Sequence, residues 1–152
     1  MIVYRVGKKQ YSTDLLGEGA RLFGGRWNPV GTSCLYTSAS RALAVLEFSV
    51  NINSMDIPSG LCFTVIEIPE TEIEEISIKN LPENWNSFPV SSLTQIFGAD
   101  LLKNCKKPII KIPSTIISTE FNYLLIPKHL KSQNFKIIAI EDFEYDIRIK
   151  SK

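Results

Sequence analysis

The sequence predicts an α+β fold: a twisted, mixed but largely antiparallel sheet with flanking helices. Three observations carry this expectation. Short β-branched and aromatic runs recur along the chain, two stretches of helical periodicity interrupt them, and glycine- and proline-rich turns separate the elements closely. No repeat, linker or low-complexity stretch divides the 152 residues, so a single domain is expected over 1–152.

The elements follow in order. Ile2 to Val6 is β-branched and aromatic, as suits a strand. Gly17, Gly19, Gly24 and Gly25 mark loops, and Asn28-Pro29-Val30-Gly31 is a strong turn signal. Cys34 to Thr37 reads as the next strand, in a hairpin that sets Arg26 and Tyr36 on neighbouring strands. Ser38 or Ser40 can cap a helix reaching Val50, with its seam on Ala39, Leu43, Leu46 and Val50. Leu61 to Ile68 is a near-continuous apolar run, the pattern of a strand buried on both faces. Glu72 to Ile78 alternates as a half-exposed strand, and a loop carrying Trp85 lies between Leu81-Pro82 and Phe88-Pro89. Ser91 to Asn104 predicts a second helix, with Leu93, Ile96, Phe97 and Leu101 inward. Pro108 to Ile112 is a strand stopped by Pro113; Asn122 and His129 fall in the loop after it. Phe135 to Ile140 and Phe143 to Ile149 are expected to close the chain as strands.

Composition narrows the function. A net charge of +1 offers no electrostatic case for nucleic acid or an anionic membrane. Three dispersed cysteines are no disulfide framework, and one histidine without a CxxC pair does not favour a metal site. The N-terminus lacks a signal-peptide layout and no run approaches membrane-spanning length, so a cytoplasmic location is expected. The familiar nucleotide motifs fail: Leu22 occupies the third glycine position of a GxGxxG, and no P-loop or GxSxG is present.

Several residues remain open to two readings. Glu47 lies beside a helical seam with no lysine or arginine three or four residues away, so it is either solvated or directed into a cleft. Arg26 follows two glycines and could fork onto a phosphate, or be an exposed strand arginine. Tyr36 could stack on a ligand ring or fill the core. Ser114, after Pro113, could contact a ligand or cap a turn. Asn122 and His129 could be structural, or His129 could be a catalyst.

One family pattern gathers these signals. The stretch from Gly19 to Gly31, containing Gly24-Gly25-Arg26-Trp27-Asn28-Pro29, resembles the RES-domain signature. It continues through Leu35-Tyr36-Thr37-Ser38 and Ala42-Leu43-Ala44-Val45-Leu46-Glu47. Downstream, Ile112-Pro113-Ser114, Glu120-Phe121-Asn122-Tyr123-Leu124-Leu125, Pro127-Lys128-His129 and the ending Phe143 to Arg148 are similar to the family's later blocks. The Arg, Glu and Ser of the family's name map onto Arg26, Glu47 and Ser114. One departure is Ile126, where members often carry asparagine before the proline.

The resemblance implies an ADP-ribosyltransferase-like fold and a toxin paired with an Xre-like antitoxin, with a homodimer possible inside that complex. It implies NAD⁺ as substrate rather than cofactor, cleaved at the nicotinamide–ribose bond by hydrolysis or phosphorolysis. Arg26, Tyr36, Glu47 and Ser114 would be the catalytic and NAD⁺-binding set, with Asn122 as a further NAD⁺ contact. Glu47 would hold ribose hydroxyls and stabilise oxocarbenium character. Arg26, with Ser114, would bind pyrophosphate, and Tyr36 would stack on nicotinamide. The alternatives are a transferase that places ADP-ribose on a protein and a non-catalytic partner-binding module.

Overall fold

A computed structural model describes residues 1–150; Ser151 and Lys152, the end of the expected domain, lie outside the described residues. The strands are β1 (Ile2–Lys8), β2 (Leu35–Ser38), β3 (Leu61–Glu67), β4 (Ile73–Glu75), β5 (Ile109–Pro113), β6 (Phe121–Leu125) and β7 (Lys136–Phe143). They form one seven-stranded sheet in the order β4-β5-β6-β2-β1-β3-β7. The β4–β5 pair is parallel and the other neighbours are antiparallel. The helices are α1 (Glu18–Phe23), α2 (Arg41–Asn51) and α3 (Ser92–Asn104).

The apolar run of β3 is buried because both its faces are covered. Ile66 packs with Val3 and Leu35 on one face; Phe63 and Val65 pack with Ala44 of α2 on the other. A second core lies beneath α3, where Trp27 and Trp85 stack over Leu102, Ile110, Ile112 and Leu124.

The sheet also forks. β1 pairs with β3 along its length, from Ile2↔Glu67 to Lys8↔Leu61. It meets β2 only at Tyr4↔Ser38. Beyond that pair the strands diverge, and the segment starting α1 closes the back of the opening through Gly17 and Ala20.

Several expectations are corrected. Arg26 lies in a tight turn, not a hairpin strand: a single bridge joins Gly25 to Asn28. Asn122 stands inside β6, between β2 and β5, not in a loop. The strand expected over 72–78 shrinks to Ile73–Glu75, and Phe143 to Ile149 is no strand: β7 ends at Phe143 and Ile147–Ile149 is a 3₁₀ turn. On α2 the buried side is Leu43, Ala44 and Ser49, while Val50 is exposed. On α3 Leu93 and Ile96 point outward, and small Thr94 and Gly98 face inward. A Cβ on residue 98 would overlap the backbone carbonyl of Trp27, so only glycine lets α3 approach so closely. Among the described residues no helix is long and apolar enough to cross a membrane.

Candidate active site

The fork between β1 and β2 opens into a cleft with two connected lobes, of about 260 Å³ and about 670 Å³. Tyr36, Glu47 and Asn122 line both lobes. Arg26 lines the larger one, and Ser114 lines neither. Such volumes suit small-molecule and cofactor sites, which run to roughly 300–1,000 Å³.

Glu47 is carried by α2, whose first turn is capped by the Ser40 hydroxyl accepting from the Leu43 N–H at 3.1 Å. Its carboxylate is held by β6 and by the residue that follows β5. Oε1 accepts from the Ser114 hydroxyl at 2.7 Å and from Asn122 Nδ2 at 2.5 Å. Among the described residues, Oε2 accepts nothing from the protein.

Both donors are themselves held. Ser114, 0% exposed, accepts at Oγ from the N–H groups of Ile116 and Ile117 at 3.1 and 3.3 Å. Its hydroxyl is therefore spent inside the protein, and it sits beneath Glu47 rather than beside Arg26. Asn122 accepts at Oδ1 from the buried Ser38 hydroxyl at 2.7 Å, which turns its NH₂ toward Glu47. The absence of a charged partner along the helix thus marked a carboxylate whose partners are distant in sequence.

Arg26 is half-buried, and its Nη1 donates to the Trp85 and Ser87 carbonyls, both at 2.9 Å. Nε and Nη2 have no protein acceptor among the described residues. Burial lowers its pKa, and the nearby Glu47 acts in the opposite sense. Arginine stays charged regardless, so a desolvated fork is presented to the lobe.

Tyr36 braces the Arg26 turn. Its hydroxyl accepts from the Trp27 N–H at 2.9 Å and donates to Asn28 Oδ1 at 2.7 Å. Burial pushes the phenol far above its usual pKa, so the hydroxyl stays protonated and only the ring is offered to a ligand. Gly25 has a steric purpose here, because a Cβ would lie 2.7 Å from the Tyr36 hydroxyl. Gln95 of α3 secures the same turn by donating to the Gly25 carbonyl at 2.9 Å.

Some residues that build the cleft are not marked by any sequence signal of a site. Asn28 gave a turn signal, but it is 0% exposed and its Nδ2 ties together the Ala20 and Thr32 carbonyls. Ser38 was one of two cap candidates; Ser40 caps the helix, which leaves Ser38 for Asn122. Arg5 lines the smaller lobe, with Nη1 donating to the Asp14 carbonyl at 3.0 Å, and nothing local announced it. His129 lies outside both lobes, with its ring between the Lys106 carbonyl and the Lys131 N–H.

Comparison with known proteins places the chain in a family. Residues 2–147 match the model of the RES domain. The chain is 33% identical over 142 residues to the Prs ADP-ribosylating toxin of Sphingobium sp. (strain YBL2), covering 91% of this chain and 88% of that protein. It is 32% identical over 152 residues to Toxin Res of Yersinia enterocolitica, covering 99% of this chain and 100% of that protein. Among solved structures it superposes on a chain of the M. tuberculosis MbcT–MbcA toxin–antitoxin complex with a TM-score of 0.73 at 17% identity, covering 93% of this chain and 83% of that one. That likeness, at such low identity, speaks for the fold. With the family model matched along nearly its whole length, the chain belongs to the RES-domain family of toxins.

Proposed function

We propose that this toxin binds NAD⁺ in the forked cleft and breaks the nicotinamide–ribose bond, passing the ribose carbon to water or phosphate. The observation that carries the reading is Glu47: a carboxylate held on one oxygen, open on the other, in the same lobe as an arginine fork and a tyrosine ring.

Each group then has a task that suits its surroundings. The free Nε and Nη2 of Arg26 fork onto the pyrophosphate. The Tyr36 ring stacks against nicotinamide. Glu47 Oε2 accepts from ribose hydroxyls and opposes the positive charge that builds at the ribose carbon. As the C–N bond breaks, its electron pair neutralises the nicotinamide nitrogen, so the leaving group departs without a proton. Water then forms the new C–O bond and gives its proton to solvent, or phosphate forms it through a deprotonated oxygen. Ser114 and Asn122 act through Glu47: they orient its carboxylate before substrate arrives, so less reorganisation is left to the reaction.

A second reading, transfer of ADP-ribose to a protein side chain, is favoured by the relative named Prs ADP-ribosylating toxin. It shares the bond-breaking step and differs only in the acceptor. By analogy with the MbcT–MbcA complex, an Xre-like antitoxin is the partner expected to neutralise the toxin in the cytosol. Incubating the purified chain with NAD⁺, with and without phosphate, and identifying the products tests the proposal. ADP-ribose or its 1″-phosphate together with free nicotinamide is expected. Intact NAD⁺ after prolonged incubation in both buffers would overturn hydrolysis and phosphorolysis alike.

A further inference from the structure

Three elements each bring an exposed apolar side chain to the larger lobe. Phe23 at the end of α1 is 83% exposed, Val50 on α2 is 53% exposed, and Phe88 in the loop before α3 is 90% exposed. Exposed apolar side chains that line one cleft are a common feature of ligand-binding grooves.

Their position relative to the charged groups gives an order. On one side, the charge of Arg26 is close enough to interact with that of Glu47. On the other, its Nη1 is held by the carbonyl of Ser87, the residue before Phe88. Along Glu47, Arg26 and Phe88 the lobe therefore presents a carboxylate, then a guanidinium, then an aromatic ring, while Val50, one turn along α2 from Glu47, belongs to the carboxylate side. NAD⁺ presents the same sequence of chemistry: a ribose that becomes cationic, a pyrophosphate, then adenosine with its flat purine.

We propose that Phe88 forms the subsite for the adenine ring, so that the cleft selects a dinucleotide over a nicotinamide mononucleotide. The inference rests on the proposed NAD⁺ reading. A purine stacked on a phenyl ring removes apolar area on both partners from water, and the ring asks for no particular hydrogen bond. The exposed position costs the free protein little order, because little of the Phe88 side chain is packed.

The test uses Glu47→Gln as a background that holds ligand with little turnover. Binding of NAD⁺ and of nicotinamide mononucleotide is measured by calorimetry in that background, alone and with Phe88→Ala or Phe88→Trp added. Phe88→Ala is expected to weaken NAD⁺ about tenfold and to leave the mononucleotide unchanged, and Phe88→Trp to restore NAD⁺ binding. An NAD⁺ affinity within twofold of the parent, or an equal loss on both ligands, overturns the subsite. So does the result that Phe88→Ala leaves NAD⁺ binding intact and weakens only capture of the cognate antitoxin, which would make the rim a protein-docking surface. If the wild-type chain cleaves no NAD⁺ but the binding difference persists, the reaction fails and the subsite stands.

Discussion

Glu47 and Arg26 face the same lobe, yet the protein holds them by opposite means. Glu47 is held by side chains: Ser114 and Asn122 donate to one oxygen, and Ser38 orients Asn122. Arg26 is held by backbone and packing: two loop carbonyls take its Nη1, Tyr36 and Asn28 knit the turn, and α3 presses against it at Gly98. The difference tells where each group is vulnerable. A single hydroxyl or amide can misdirect the carboxylate without moving the chain. The guanidinium depends on the turn that carries it and on the two loop carbonyls that hold it.

Three variants sharpen that contrast. Glu47→Gln keeps the shape and two of the contacts but removes the charge. Its loss falls on the transition state, where the ribose turns cationic, and turnover of NAD⁺ should drop on the order of 10²–10³-fold with the melting temperature nearly unchanged. Near-wild-type turnover would remove Glu47 from the chemistry.

Gly98→Ala acts on the other support. The added methyl meets the Trp27 carbonyl, so α3 and the Arg26 turn must part. Overpacking of this kind costs about 1–3 kcal/mol, visible as a lower melting temperature. Because the guanidinium shifts with its turn, KM for NAD⁺ should rise while kcat falls less. An unchanged melting temperature would mean that the contact relaxes freely.

Asn122→Ala is the smallest and most diagnostic of the three. It removes one of two donors to Glu47, so kcat should fall about tenfold, the equivalent of roughly 1.4 kcal/mol, with KM within twofold. The reverse pattern, a raised KM with kcat intact, would return Asn122 to the role of a direct NAD⁺ contact.

Much of the scaffold was legible because its signals are local. Leu61 to Ile68 announced a buried strand by composition, and the serines at 38 and 40 announced a helix start by chemistry, of which Ser40 is the cap. β6 escaped notice because Phe121-Asn122-Tyr123-Leu124-Leu125 has neither clean alternation nor a uniform apolar run. It is a strand because β2 and β5 flank it, and Asn122 is polar there because it faces the cleft. The inward faces of the helices were misjudged for a related reason. Val50 and Leu93 are apolar, but which side of a helix is buried depends on what packs against it, and small Gly98 and Thr94 were what α3 needed.

The sequence by itself determined the fold class, the family and the types of residue available for chemistry, because strand composition, capping and the Gly24 to Pro29 signature are written in neighbouring residues. Only the tertiary structure decided the partners. Ser114 donates to Glu47, Tyr36 gives its hydroxyl to the Arg26 turn and lines the cleft, and Ser38 donates to Asn122 from the neighbouring strand. The Ser114–Glu47 and Ser38–Asn122 bonds join residues 67 and 84 positions apart, brought within 2.7 Å by the packing of α2 and the register of β2 on β6, and no local pattern encodes that distance.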